Sequence, residues 1–407
     1  MDHTTSPAEF PAPSALPPEP ELPDPLVTFD GAAVETSTAW WDRRRPEIRR
    51  AFEHYVYGYA PDTPAIEIET GQSTIVLEGR ARFEERTIRF ADLPADAPTI
   101  DLAVFTPADR DAVPVFLGLN NAGNHAAIDD PAVTITDTAA EFGLEDRGAA
   151  SEYWCVERLI EGGYGLATFH PADVDPDRDD PTDGIHPYYD DLPGPAPTRW
   201  GTIAAWAWGL RRGVDALREA PQARNDGIAV IGHSRLGKAA MLAGALDDRI
   251  DLVVPHQSGT GGVTPARDND QETVAGITEA FPHWFNDVFP AFGGRPERLP
   301  VDQHLLVSLV APRPLLDTEG ARDYWTNPGL ALDSIQAADP VYDLLGADGT
   351  VGDGLLYGDD AISAETVGTL AQYRRETKHT LDRGYWDAIL DFADVHLREN
   401  PIRDRTE

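Results

Sequence analysis

From about residue 27 onward the chain alternates short, strongly apolar runs with longer segments of helical length and spacing, and this alternation narrows the fold more than any other feature. STIVLEGRARFEERTIRF (73–90) and TIDLAVF (99–105) read as hairpin strands. VPVFLGL (113–119), YGLATFH (164–170), GIAVIG (227–232), IDLVVP (250–255) and PRPLLD (312–317) read as buried strands. TIAAWAWGLRRGVDAL (202–217), RLGKAAMLAGAL (235–246) and YWDAILDFADVHL (385–397) read as helices. Short buried strands separated by helices predict a mostly parallel sheet covered on both faces, with an antiparallel hairpin region at its N-terminal side. No linker-like composition interrupts residues 27–400, so one large α/β domain is expected there. Residues 1–26 hold eight prolines and little apolar pattern, which predicts a disordered or polyproline tail, and 401–407 reads as a second tail.

Composition limits what such a domain does. The 407 residues include 70 acidic and 33 basic side chains, a formal net charge of -37. Only Lys238 and Lys378 are lysines. Such a surface repels nucleic acid and anionic lipid, so neither is an expected partner. It suits molar salt, where counterions screen self-repulsion, and a halophilic, cytoplasmic protein is expected. No run of about 18 apolar residues offers a membrane span, and no secretory signal opens the chain. A single cysteine, Cys155, excludes an internal disulfide framework and reads as packing. Trp206 and Trp208 read as core on their helix.

The chemistry concentrates at Gly232-His233-Ser234-Arg235-Leu236-Gly237-Lys238. A serine two residues after a glycine, between a buried strand and a helix, is the arrangement of a nucleophile elbow. The tight turn lifts the hydroxyl clear of the sheet, and the N–H groups opening the helix face the oxyanion that forms on attack. The second glycine stands one position later than in the usual G-x-S-x-G. A base and an orienting carboxylate are required next, in the order acid then histidine. His396 lies inside the closing helix and reads as structural. His379 lies in a polar turn just before that helix and is the candidate base. Asp317, Glu319 and Asp323 follow a late strand, and spacing alone does not choose among them.

These segments together resemble the glucuronoyl esterases, carbohydrate esterase family 15, particularly their bacterial branch. Gly232 to Lys238 match the family's G-x-S-R-x-G-K, displaced glycine included. Leu299 to His304 resemble its LPxDxH segment, Ala311 to Pro314 its APRP, and Asp323 to Pro328 its D-x-W-x-D/N-P. Asn120 to His125, Trp200 to Thr202 and Phe281 to Phe285 are also similar, so the resemblance spans roughly residues 40–397. It implies an α/β-hydrolase, a three-layer sandwich, acting on uronic acid esters through an acyl-enzyme and without a cofactor. It implies Ser234 as nucleophile, His379 as base, and Arg235 as an oxyanion donor, worth roughly 2.7–4 kcal/mol where one such donor was removed from a protease. Lys238 would bond sugar hydroxyls, Trp325 would border the sugar, and His283 and Trp284 join the substrate-facing set. Fungal members carry their acid as Glu in E-S-G-x-G-G, where this chain has Gln257-Ser258-Gly259-Thr260-Gly261-Gly262. The acid is therefore expected at Asp323, with Glu319 in reserve, and Gln257 to brace the site or meet substrate.

Other readings are an acetylxylan or small-ester hydrolase, and a non-catalytic carbohydrate-binding protein on the same fold. The run Asp173 to Gly184 resembles a calcium loop but places Arg178 and Gly184 where an EF-hand needs glycine and glutamate, so a salt-adapted surface loop is expected. His125, His283 and His304 each fall in segments the esterase reading explains, and no metal is expected.

Overall fold

The computed structural model describes residues 10–189, 192 and 196–397. Ten strands form one sheet: β1 (Ile66–Val76), β2 (Ala81–Phe90), β3 (Ile100–Pro107), β4 (Val113–Leu119), β5 (Gly165–Phe169), β6 (Ala223–His233), β7 (Leu252–His256), β8 (Leu315–Gly320), β9 (Leu355–Tyr357) and β10 (Leu370–Arg375). Their order across the sheet is β1-β2-β3-β5-β4-β6-β7-β8-β10-β9. The first three are antiparallel to one another, and β3 meets β5 antiparallel. From β5 through β9 every pairing is parallel. This is the mostly parallel sheet with an N-terminal hairpin region that the pattern predicts, in the sandwich arrangement of an α/β-hydrolase.

The central strands are buried on both faces, and their side chains separate with a period of two. Val115, Leu117, Ile228, Val230 and Val253 join one apolar layer with α2 (Thr202–Arg218), α3 (Arg235–Leu246) and α4 (Pro328–Leu344). Phe116, Ala229, Ile231, Leu252 and Val254 join the opposite layer with α1 (Val156–Gly162) and α5 (Arg383–His396). Trp206 and Trp208 are fully buried in the first layer. The Ala- and Leu-rich α3 combines high helix propensity with small side chains, so it lies close to the sheet. A Cβ on Gly244 would come within 2.4 Å of Val253.

The structure departs from the expected N-terminal tail. Residues 1–9 and 401–407 lie outside the described residues, but 10–26 form a strap docked on the domain. The carbonyls of Pro11, Leu16, Glu19 and Pro23 accept bonds from Tyr55, Arg298, Arg267 and His304. Glu19 N donates to Glu297 O at 2.7 Å. Proline removes N–H donors but leaves every carbonyl, and a chain pre-extended by proline binds with little ordering cost.

Candidate active site

The turn between β6 and α3 is built by two glycines that nothing else replaces. A Cβ on Gly232 would lie 2.0 Å from Leu236 O, and one on Gly237 would lie 2.9 Å from both Gly232 O and His256 O. The second glycine therefore stands at 237 because the first turn of α3 crosses the ends of β6 and β7 there. Ser234 takes φ 60, ψ −128, a strained conformation for a side chain with a Cβ. Its N–H donates to His256 O at 3.0 Å. Its hydroxyl makes no hydrogen bond among the described residues.

His379 reaches this turn on the loop between β10 and α5. Its ring lies 4.2 Å, centroid to centroid, from that of His233, the residue before Ser234. Nδ1 donates to Asp323 Oδ2 at 2.6 Å, the carboxylate being almost buried and the imidazole exposed. Asp323 follows β8. Glu319, the alternative acid, instead accepts from Thr326 Oγ1 at 3.0 Å, and burial beside Asp317 pushes its carboxyl well above the usual range. Of the two carboxylates it is Asp323 that meets the imidazole.

Gln257 is fully buried, and its amide is spent within the protein. Nε2 donates to Lys378 O at 3.0 Å, while Oε1 accepts from Thr380 N at 2.9 Å and His233 Nε2 at 2.9 Å. Two of these bonds flank His379 in the chain. His256 adds another, donating from Nε2 to Thr380 O at 2.8 Å while Nδ1 accepts from Thr318 Oγ1 at 2.7 Å. Where the fungal pattern has an acid, this chain has a clamp on the histidine loop, so the geometry supports the bracing expectation for Gln257 and not the substrate-facing one. Replacing it with leucine leaves Lys378 O, Thr380 N–H and the His233 ring N–H, all partly buried, without this partner, at up to about 1–3 kcal/mol each. Gln257→Leu is expected to lower the melting temperature and slow turnover together, measured by thermal unfolding and steady-state assay.

The same histidines set a pH limit on stability. Burial pushes His256 down to about 3 and His233 to about 2 from an ordinary 6.5. Each therefore stays neutral in the fold while the unfolded chain takes up a proton. Their contribution is complete above pH 6.5 and is lost as pH falls below it, at about 1.4 kcal/mol per pH unit for each. Chemical denaturation between pH 7 and 5 is expected to show this slope, and His256→Gln to reduce it.

Three further expectations meet different surroundings. Lys238 is buried, and Nζ donates to Ser258 O at 2.8 Å, Thr260 O at 2.7 Å and Glu272 Oε2 at 3.0 Å. Its three protons are thus committed to protein, not free for sugar hydroxyls. Glu272, which the sequence did not single out, links it to Trp325, whose Nε1 donates to Glu272 Oε1 at 3.1 Å. Trp325 remains 53% exposed and Tyr324 70%, leaving an aromatic rim beside Asp323. His283 and Trp284 also spend their ring N–H groups inside the protein, on Asp177 Oδ1 at 2.8 and 2.7 Å. Asp177 Oδ2 lies 2.7 Å from Arg235 Nε. The run 173–184 is accordingly no simple surface loop: Asp173 and Asp175 are buried, and Asp177 enters the site. A carboxylate-rich run in an acid-rich chain gave no signal that one member would pair with Arg235. Among the described residues no cluster of His, Cys, Asp or Glu could hold a metal.

Comparison with known proteins finds relatives along nearly the whole chain. The family described as "Glucuronyl esterase, fungi" matches residues 150–346. "Carbohydrate esterase MZ0003", from an unknown prokaryotic organism, is 38% identical over 92% of this chain and 89% of its own length. "4-O-methyl-glucuronoyl methylesterase 1" of Wolfiporia cocos is 31% identical over 80% and 72%. A solved structure described as a promiscuous CE15 esterase from the marine bacterial metagenome superposes with a TM-score of 0.82 at 37% identity, covering 94% of this chain and 98% of that one. A serine elbow, a histidine–aspartate contact beside it and relatedness along nearly the whole chain converge on one assignment: the chain belongs to the CE15 glucuronoyl esterase family.

Proposed function

We propose that this carboxylic ester hydrolase cleaves glucuronoyl esters, including 4-O-methyl-glucuronoyl esters, through an acyl-enzyme on Ser234. The observation that carries the residue assignment is the 2.6 Å contact of His379 Nδ1 with Asp323, beside the strained turn at Ser234. With Nδ1–H held by the carboxylate, the lone pair of His379 is on Nε2, the nitrogen that takes the serine proton. Ser234 Oγ attacks the ester carbonyl, and His379 passes the proton to the departing alcohol. Water deprotonated by the same imidazole then releases the uronate. Arg235 and the N–H groups opening α3 stabilise the oxyanion. Trp325, anchored through Glu272, supplies an apolar face for the sugar.

The name of the Wolfiporia cocos relative supports the methyl ester of 4-O-methyl-glucuronate as a substrate. The description of the marine structure as promiscuous supports a second reading, hydrolysis of small esters such as acetylated xylan. Purified enzyme, assayed in molar salt to suit its charge, is expected to release glucuronate from methyl glucuronate faster than acetate from acetylated xylan. Faster acetate release would favour the second reading. Neither product, together with retained sugar binding, would indicate a binding protein.

A further inference from the structure

We propose that Asp177 is a positioning residue for this reaction, holding Arg235 by its Nε edge so that the two Nη groups are presented to the ester oxygen. The inference rests on the oxyanion role of Arg235 given above.

Arg235 is the first residue of α3, directly after Ser234, and its side chain is one-third exposed. A guanidinium at such a place has many rotamers, and an oxyanion donor that must first be ordered contributes less than one already in place. Its sole charged partner among the described residues is Asp177, whose Oδ2 lies 2.7 Å from Nε as an ion pair, although the Nε–H is not aimed along that contact and makes no hydrogen bond. The terminal nitrogens make no hydrogen bond or ion pair among the described residues, so the side chain is tethered at one edge and open at the other. That is the shape required of a donor awaiting charge.

Asp177 is itself fixed. His283 and Trp284 both donate to Oδ1, leaving Oδ2 for the arginine. Burial opposes its ionisation, but bonds from His283 and Trp284 and the charge of Arg235 hold its carboxyl below the usual range. The anchor thus joins two segments far apart in the chain, 173–184 and 281–285, to the first turn of α3. Trp284 is 4% exposed and stacks on Phe281 at 3.8 Å, which makes it a rigid support. An aspartate paired to Arg235 does subtract from its positive field. The geometry favours orientation over field strength, because the ion pair lies at Nε and no hydrogen bond or ion pair among the described residues occupies the Nη edge.

The test is a double-mutant cycle on the full chain with methyl glucuronate, using Asp177→Asn, Arg235→Gln and both together. Asparagine keeps an oxygen for His283 and Trp284, so the fold is expected to survive, as checked by thermal melting. Asp177→Asn is expected to lower kcat about tenfold with KM within about twofold, the size of coupling seen in shared networks. Arg235→Gln is expected to lower kcat about 100-fold, as loss of one oxyanion donor does. The double variant should match Arg235→Gln alone. An equal Asp177→Asn effect in both backgrounds, or no effect in either, would overturn the proposal. An unchanged kcat in Arg235→Gln would instead overturn the oxyanion role itself.

Discussion

Ser234→Ala is expected to reduce kcat on methyl glucuronate by on the order of 10^5- to 10^6-fold, the scale seen when a serine hydrolase loses its nucleophile. The fold should be untouched, because the hydroxyl has no hydrogen-bond partner among the described residues. A companion variant separates chemistry from strain. The backbone at Ser234 has φ 60 and ψ −128, which a glycine adopts far more easily than any residue with a Cβ. Ser234→Gly should therefore be equally inactive yet more stable than the parent, by about 1 kcal/mol or more. Thermal melting beside the kinetic assay reads both. A loss of stability in the glycine variant would mean that the turn is not strained.

Asp323→Asn is expected to lower kcat by about 10^4 with KM little changed. An asparagine amide at this position is able to donate to Nδ1, which moves the imidazole proton to Nε2 and removes the base; the same change in a serine protease has that magnitude. Asp323 is 5% exposed and the exchange is isosteric, so folding should survive. Glu319→Gln is the control. Its carboxyl bonds Thr326 and carries a raised pKa, so the neutral amide imitates the protonated acid and turnover should stay within a few-fold. The opposite ranking of the two variants would exchange their roles.

Much of this architecture was legible in the residues because apolar pattern and turn chemistry coincide. VPVFLGL is β4 residue for residue, and RLGKAAMLAGAL is α3. Other elements were hidden. β10, LAQYRR, interrupts its apolar run with Gln372, whose amide is satisfied by Asp317 on the neighbouring strand, so a buried residue looks like a surface one. α4 carries Pro340 within it and begins after Asn327 in a left-handed conformation, two features that read as loop. The docked strap was missed because proline-rich composition reports how little core a segment brings, not which carbonyls it offers to arginines elsewhere.

The site divides in the same way. Ser234, Arg235, His379 and Asp323 stand in recognisable local contexts, a strand–turn–helix and two post-strand loops. Glu272 and Asp177 pair with residues 34 and 58 positions away, Lys238 and Arg235, and no local pattern marks them among 70 acidic residues. Lys238 shows the converse. Its rarity and motif position pointed to sugar hydroxyls, whereas the fold spends its charge on Ser258, Thr260 and Glu272.

The convergence of Ser234, His379 and Asp323 is tested most directly by mapping a fluorophosphonate adduct with peptide mass spectrometry in the parent, His379→Ala and Asp323→Asn. The parent should carry a single adduct, on Ser234, and both variants should acquire it far more slowly while remaining folded. An adduct on another residue, or an undiminished labelling rate in either variant, would contradict the account.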